Sequence, residues 1–271
     1  MINISVVLFC NPVQQIKNLL LDLSLNEHIQ HIYLVDNSPN DDLHKLTSID
    51  SRIIYIHNPS NLGYGSSHNI AIKKSIAERV AYHVVANPDI RMGNNVLASL
   101  KAYMEVNSDV GLVMPDIRYP NGSRQHLCKL LPTPLSLFSR RFLPKAISRK
   151  FDKKYNLLAL NYDKEMNVPI LSGCFMFLRT SALADVGLFD SRFFMYLEDF
   201  DLVRRIHANH RTIFLPNVQV THEYAKGSYQ NKKLMIYHIT SAVKYFNKWG
   251  WLSDSFRRKT NKKFIRQSKH Y

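Results

Sequence analysis

The first half of the chain alternates two hydrophobic rhythms. Continuous apolar, β-branched runs at residues 4–9, 31–35, 52–57, 82–86 and 110–114 predict strands, and runs of this kind suit a sheet covered on both faces. Between them Val13, Ile16, Leu20 and Leu23 recur at helical spacing, as do Ile72, Ile76 and Val80, and then Val96, Leu100 and Met104. This order implies an α/β fold built on a doubly wound, mainly parallel sheet. The second half is less regular. It holds a Pro-containing basic stretch at residues 132–155, a strand signal at 170–178, a helix at about 198–209 and short strands near 212–215 and 218–221. Met235, Ile239, Ala242, Phe246 and Trp249 then mark one face of a closing amphipathic helix. We expect one domain over residues 1–230, with the basic stretch as an insertion, followed by a C-terminal helical extension and basic tail over 231–271.

Composition changes this picture little. A chain of 271 residues with 45% apolar side chains can bury a full core. Cys10, Cys128 and Cys174 are too few and too scattered for a disulfide framework or a zinc site, which fits a reducing compartment. The N-terminal residues read as a first strand and not as a secretory signal. The longest apolar run, residues 168–178, falls short of the roughly 20 that a membrane-crossing helix needs. A soluble or peripheral protein is expected.

Charge changes it more. Residues 136–155 carry seven basic side chains against Asp152, and residues 244–271 carry nine against Asp254, so that +14 of the formal +15 lies in two segments. Both also hold large apolar residues, Leu137, Phe138 and Phe142 in the first, Phe246, Trp249, Trp251, Leu252, Phe256 and Phe264 in the second. A basic stretch interleaved with rings can rest on an anionic leaflet. The alternative is a solvated tail. Nucleic-acid binding is not expected, because no nucleic-acid motif accompanies the charge.

The strand ends carry the chemistry. Asn11 follows the first strand, Asp36-Asn37-Ser38 the second, a segment from Asn61 through Gly63 to Asn69 the third, and Asn87-Pro88-Asp89 the fourth. Each cluster alone is an ordinary turn. Their recurrence at carboxyl ends of successive strands, where open α/β sheets bind ligands, predicts a crevice. Gly63-Tyr64-Gly65-Ser66-Ser67-His68 approaches the dinucleotide fingerprint, but His68 replaces the third glycine and the segment follows the third strand, which argues against hydride transfer. It still offers small residues and backbone N–H groups at a helix start, where a sugar diphosphate could sit. Glu198 and Asp199 open a helix, a position that suits carboxylates through the helix dipole alone. His222 ends a short strand, as a packed residue or a ligand. No catalytic motif surrounds Cys174, so a thiol nucleophile is not expected.

Taken in order, Asp36-Asn37-Ser38, Asn61-x-Gly63 with Asn69, Asn87-Pro88-Asp89, Gly173-Cys174 and Glu198-Asp199-Phe200-Asp201-Leu202 resemble the motif set of the inverting family 2 glycosyltransferases of GT-A fold, over about residues 3–225. Within that family the chain is most similar to bacterial rhamnosyltransferases that build lipopolysaccharide O-antigen on a lipid carrier. The resemblance implies a nucleotide-sugar donor, dTDP-rhamnose, a lipid-diphosphate-linked saccharide acceptor, and work at the cytoplasmic face of a bacterial membrane. It implies that Asp36 contacts the base or ribose, with Asn11, Asn37, Asn61, Gly63, Asn69 and Asn87 completing the nucleotide-sugar wall. Asp89 would stand for the last acid of the DxD motif and, with His222, hold Mg²⁺ or Mn²⁺ against the diphosphate. Asn87 replaces the first acid, which leaves fewer anionic ligands. Asp199 matches the general base, with Glu198 the second choice; Gly173 and Cys174 would line the acceptor side, Asp201 would make a structural or acceptor-side contact, and Lys226 would help to neutralise phosphate charge. Two other classes compete. A sugar nucleotidyltransferase shares such a sheet but has a Gly-rich basic N-terminal loop that is absent here. A non-catalytic module for anionic lipid or nucleic acid would explain the charge but leave the strand-end acids without purpose.

Overall fold

The apolar runs of the first half form strands because burial on both faces is the only way to remove them from water. In the computed structural model, which describes residues 1–142, 155–223 and 232–268, with backbone only for 139–142, these runs become β1 (Ile2–Leu8), β2 (Ile29–Asp36), β3 (Ile53–His57), β4 (Tyr82–Ala86) and β6 (Val110–Arg118), with a two-residue β5 (Ile90–Arg91). They alternate with α1 (Val13–Ser24), α2 (Tyr64–Ala77) and α3 (Val96–Val106). The second half supplies α4 (Pro134–Phe142), β7 (Met166–Asn167), β8 (Phe175–Arg179), α5 (Thr180–Val186), α6 (Glu198–Asn209), β9 (Arg211–His222), α7 (Lys232–Trp249) and α8 (Ser255–Gln267). The basic side chains from Arg140 to Lys154, and Lys226, lie outside the described side chains.

One sheet runs β3-β2-β1-β4-β8-β6-β9-β5, with β7 on β9. Most of its paired length is parallel: β1 with β2 and β4, β2 with β3, and β6 with β9. Leu8 pairs with Asp36 and Val6 with Ala86, so the carboxyl ends of β2, β1 and β4 share one rim. That rim is the expected ligand side. β8 enters antiparallel between β4 and β6 and breaks the parallel order.

Two strand expectations change. The strand predicted at 170–178 starts only at Phe175; Ile170 bridges Lys129, and the residues between form a loop. The two short strands predicted at 212–215 and 218–221 are a single β9. Its register jumps from Leu215, opposite Pro115, to Gln219, opposite Asp116, and the bulge contains Pro216, which has no N–H for the ladder.

A buried polar chain locks α2 to the sheet. Ser5 Oγ lies 2.7 Å from His68 Nδ1 and 2.8 Å from His83 Nε2, and His83 Nδ1 lies 2.7 Å from Ser75 Oγ, which accepts from Asn3 at 3.0 Å. Burial holds His83 neutral, with its pKa lowered to about 3, and His68 neutral as well. His68, where a dinucleotide fingerprint has glycine, is thus a fastener between helix and sheet.

The tail is more ordered than its composition suggests. Phe246 and Phe264 are core residues, whereas Trp251 and Leu252 are exposed. Asn261 exchanges two 2.9 Å hydrogen bonds with the Leu131 backbone. Arg204 on α6 makes a bidentate pair with Asp254, 2.7 and 2.9 Å, with Trp249 and Phe256 over its guanidinium. The C-terminal helices are therefore fastened to the helix that begins with Glu198-Asp199.

Candidate active site

The wall at β2 and α2 is held together by its own polar groups. Asp36 is fully buried; its Oδ1 accepts from the Ser38 N–H at 2.9 Å and its Oδ2 from Tyr55 Oη at 2.8 Å. Asn37 exchanges bonds with Ser67 on α2 and accepts from Asn58 at 2.8 Å. Asn11 accepts from the Phe9 N–H and donates to Gln15. Asn61 accepts from the Gly63 N–H at 2.9 Å. Gly63 has φ +82°, and a Cβ there would lie 2.2 Å from the Phe194 carbonyl oxygen, so only glycine fits. Asn69 pairs with the Phe189 backbone in both directions, 2.8 and 3.0 Å. Gly63 and Asn69 thereby tie the start of α2 to the segment leading to Glu198.

A second group gathers where β4 ends. Tyr64 Oη stands 2.7 Å from the Gly173 carbonyl and 3.1 Å from Asn87 Oδ1, and the Asn87 N–H donates to the Cys174 carbonyl at 2.9 Å. Asp89 Oδ1 is buried, lacks an aligned hydrogen bond, and lies 3.2 Å from His222 Nε2. Burial alone would lower the His222 pKa, but Asp89 and the Cys174 thiol outweigh it and raise the value to about 10. Pairing of Ile90 with His222 across β5 and β9 sets this juxtaposition.

The third group is the start of α6. Tyr196 and Leu197 both have left-handed backbones, φ 68° and 61°, and this strained turn delivers Glu198 and Asp199. Asp199 Oδ2 accepts from the Gly173 N–H at 2.9 Å, and its Oδ1 accepts from the Phe200 N–H at 2.9 Å. A Cβ on Gly173 would come within 2.9 Å of Asp199 Cβ, so glycine permits the approach. Burial raises the pKa of both acids; the Asp199 charge raises Glu198 further, while the Gly173 N–H and Lys129 favour the Asp199 anion. The pair thus carries its negative charge on Asp199 and its last proton on Glu198.

Asp89, Asn87, His222, Gly173, Cys174, Glu198 and Asp199 are therefore linked around Tyr64. Asp36 stands on the same rim, two strand spacings or about 10 Å across it. Asp201 does not join them: its oxygens are taken by Arg205 at 3.0 Å, Trp249 at 2.8 Å and Lys248 at 2.7 Å. Sequence reasoning passed over Tyr64, Gln125 and Lys129. Tyr64 could have been found as the one large residue in a run of small ones; the others sit in segments without periodicity.

Comparison with known proteins agrees with this geometry. The profile described as glycosyl transferase family 2 matches residues 6–187, more than half of the chain. The chain belongs to that family. This glycosyltransferase is also 28% identical, over 80% of its own length and 75% of the relative's, to the N-acetylglucosaminyl-diphospho-decaprenol L-rhamnosyltransferase of Mycobacterium tuberculosis. Its fold is similar to that of GalNAc-T7 with UDP, GalNAc and Mn²⁺, at TM-score 0.65 and 15% identity over 85% of this chain and 44% of that one. A mannosyltransferase of Pyrobaculum calidifontis with GDP-Man and Mn²⁺ gives TM-score 0.62 at 16% identity over 91% and 63%. The chain spans less than two thirds of either solved structure. These likenesses establish a GT-A-like mixed α/β domain.

Proposed function

We propose that this glycosyltransferase moves rhamnose, with inversion, from dTDP-rhamnose to a saccharide on a lipid diphosphate, as a step in O-antigen assembly. One observation carries the chemistry. Among the described residues, the buried carboxylate oxygens without a hydrogen-bond partner are Asp89 Oδ1 and Glu198 Oε2, and both belong to the cluster around Tyr64. Asp89 Oδ1 faces only the His222 ring, and a buried oxygen with no partner, such as Glu198 Oε2, costs about 1–3 kcal/mol, which a fold tolerates where a ligand will meet it. The sugar and acceptor are supported by the mycobacterial relative, whose name specifies L-rhamnose transfer to N-acetylglucosaminyl-diphospho-decaprenol.

In this reading Asp199 is the base. It takes the proton of the acceptor hydroxyl while that oxygen bonds to the anomeric carbon, and the bond to the diphosphate breaks on the opposite face. The Gly173 N–H fixes one carboxylate oxygen and orients the other edge. Protonated Glu198 keeps a second charge out of the pocket. Asp89 Oδ1 and His222 Nε2, 3.2 Å apart, suit a hard divalent cation that displaces the ring proton facing Asp89, since two ligands at right angles around Mg²⁺ or Mn²⁺ stand about 3 Å apart. Such a cation would neutralise charge on the departing nucleoside diphosphate.

We assign membrane contact to α8. Lys259, Lys262, Lys263 and Arg266 recur at spacings of three and four and are exposed on one face. Each is worth about 1 kcal/mol near an anionic leaflet, which would hold the enzyme at the cytoplasmic surface beside its lipid acceptor. No described helix is long and apolar enough to cross a membrane. The test is a donor panel of dTDP-rhamnose, UDP-glucose, UDP-GlcNAc and GDP-mannose with a lipid-diphosphate GlcNAc acceptor. Turnover with dTDP-rhamnose and an inverted anomeric centre is expected; a preference for another donor removes rhamnose, and retained configuration removes the single displacement.

A further inference from the structure

The neighbour of His222 on the side away from Asp89 is Gln125. It is 6% exposed and sits on a hairpin anchored to the end of β6: its N–H donates to the Ile117 carbonyl at 2.8 Å, and Arg118 and Arg124 flank the buried Asp116. Its amide faces three protein groups. Nε2 lies 2.9 Å from the His222 carbonyl oxygen and 3.5 Å from that of Arg118, while Oε1 lies 3.0 Å from His222 Nδ1. Two carbonyls can only accept, so the amide nitrogen must point at them and the amide oxygen at the ring. An amide oxygen can only accept in turn, so Nδ1 carries a hydrogen. A cation that binds this ring must therefore take the place of the proton on Nε2, and Nε2 is the atom beside Asp89 Oδ1.

We propose that Gln125 is a positioning residue that fixes the ring orientation of His222 and keeps the hydrogen on Nδ1, so that a divalent cation displacing the Nε2 proton meets Nε2 and Asp89 already side by side. The same amide also bonds the His222 backbone, so ring and main chain are set by one side chain. This inference rests on the metal reading above but does not restate it: it assigns a role to a neutral residue that touches no ligand. Outer partners of metal-binding histidines typically contribute 10–100-fold in affinity.

The test is Mn²⁺ binding followed by electron paramagnetic resonance with dTDP present, on wild type, Gln125→Met and His222→Ala, with melting temperatures recorded for each. Gln125→Met keeps the volume and removes both bonds; a loss of about tenfold or more in Mn²⁺ affinity is expected, with dTDP affinity in the absence of metal unchanged. Gln125→Met that binds Mn²⁺ as wild type does, beside a His222→Ala that does not, overturns the role of Gln125 and leaves the metal reading standing. His222→Ala with wild-type affinity, or wild type without Mn²⁺ binding, removes the metal reading and this inference together. Should Gln125→Met not fold, Gln125→Glu takes its place, since its protonated form still donates to the His222 carbonyl and accepts from Nδ1, giving up only the 3.5 Å contact to the Arg118 carbonyl. It should stay within a few-fold of wild type, and a tenfold loss overturns the assignment.

Discussion

Two parts of the rim are built from the same residue types and differ in one respect. At β2 and α2, Asp36, Asn37, Asn61 and Asn69 spend their polar atoms on one another and on backbone. At β4 and α6, Glu198 keeps a buried oxygen without a hydrogen-bond partner, and Asp89 Oδ1 makes no aligned hydrogen bond and faces the His222 ring at 3.2 Å. The first arrangement makes a rigid surface. The second stores unspent bonding capacity, together with acids whose protonation is displaced by burial. In the proposed reading the difference separates residues that shape the crevice from residues that act in it, although both kinds stand at strand ends and look alike in sequence.

The largest effect should come from Asp199→Asn. Loss of the base is expected to cut turnover by about 10²–10⁴, with dTDP affinity close to wild type. Stopped or steady-state assays with a lipid acceptor read it; full activity would transfer the role elsewhere. On the opposite side of the comparison, Asn69→Ala deletes two hydrogen bonds to Phe189 and should cost about 2 kcal/mol of stability by chemical denaturation. If its chief effect is instead on donor affinity, the wall is not merely structural.

Much of this was legible in sequence, for a physical reason. Parallel strands buried on both faces leave unbroken apolar runs, so β1, β2, β3, β4 and β6 were found, and the helix opened by Glu198 was expected at about 198–209. The mainly parallel sheet was legible for the same reason, and its GT-A character from the resemblance of the strand-end motifs. What stayed hidden depends on contacts far apart in the chain. Asp201 reads like Asp199 in sequence, yet Trp249 and Lys248 close over it from α7. Phe246 and Phe264 read as membrane anchors, yet they fill the core, because only the fold shows which side of each helix meets α6 and the Leu131 segment. Gln125 carries no motif at all.

The Glu198-Asp199 pair gives a finer test. As the proposed base Asp199 acts ionised, so activity is expected to fall as pH drops through its pKa. Burial raises that pKa, which moves the acid limb of kcat/KM above the ordinary range of an aspartate. For stability the sign is opposite to the usual one for acids: both folded-state values are raised, so the pair favours the fold most at low pH and that contribution is lost as pH rises through the raised values. Glu198→Gln, isosteric with the protonated acid, should keep turnover within about tenfold of wild type. A loss as deep as that of Asp199→Asn would exchange the two roles.

The smallest effect falls on Asp36, the one wall residue whose chemistry matches the corner. Tyr55→Phe removes the donor to Asp36 Oδ2 and leaves that buried oxygen unpaired, at a cost of about 1–2 kcal/mol in stability. If the wall acts only by shape, the donor KM stays at its wild-type value. If Asp36 exchanges Tyr55 for the base or ribose when donor binds, the freed oxygen no longer needs Tyr55 to turn away and KM falls by a few-fold. The direction of that small change decides on which side of the comparison Asp36 belongs, because a side chain that gains function by losing a partner behaves like Asp89 and not like Asn69.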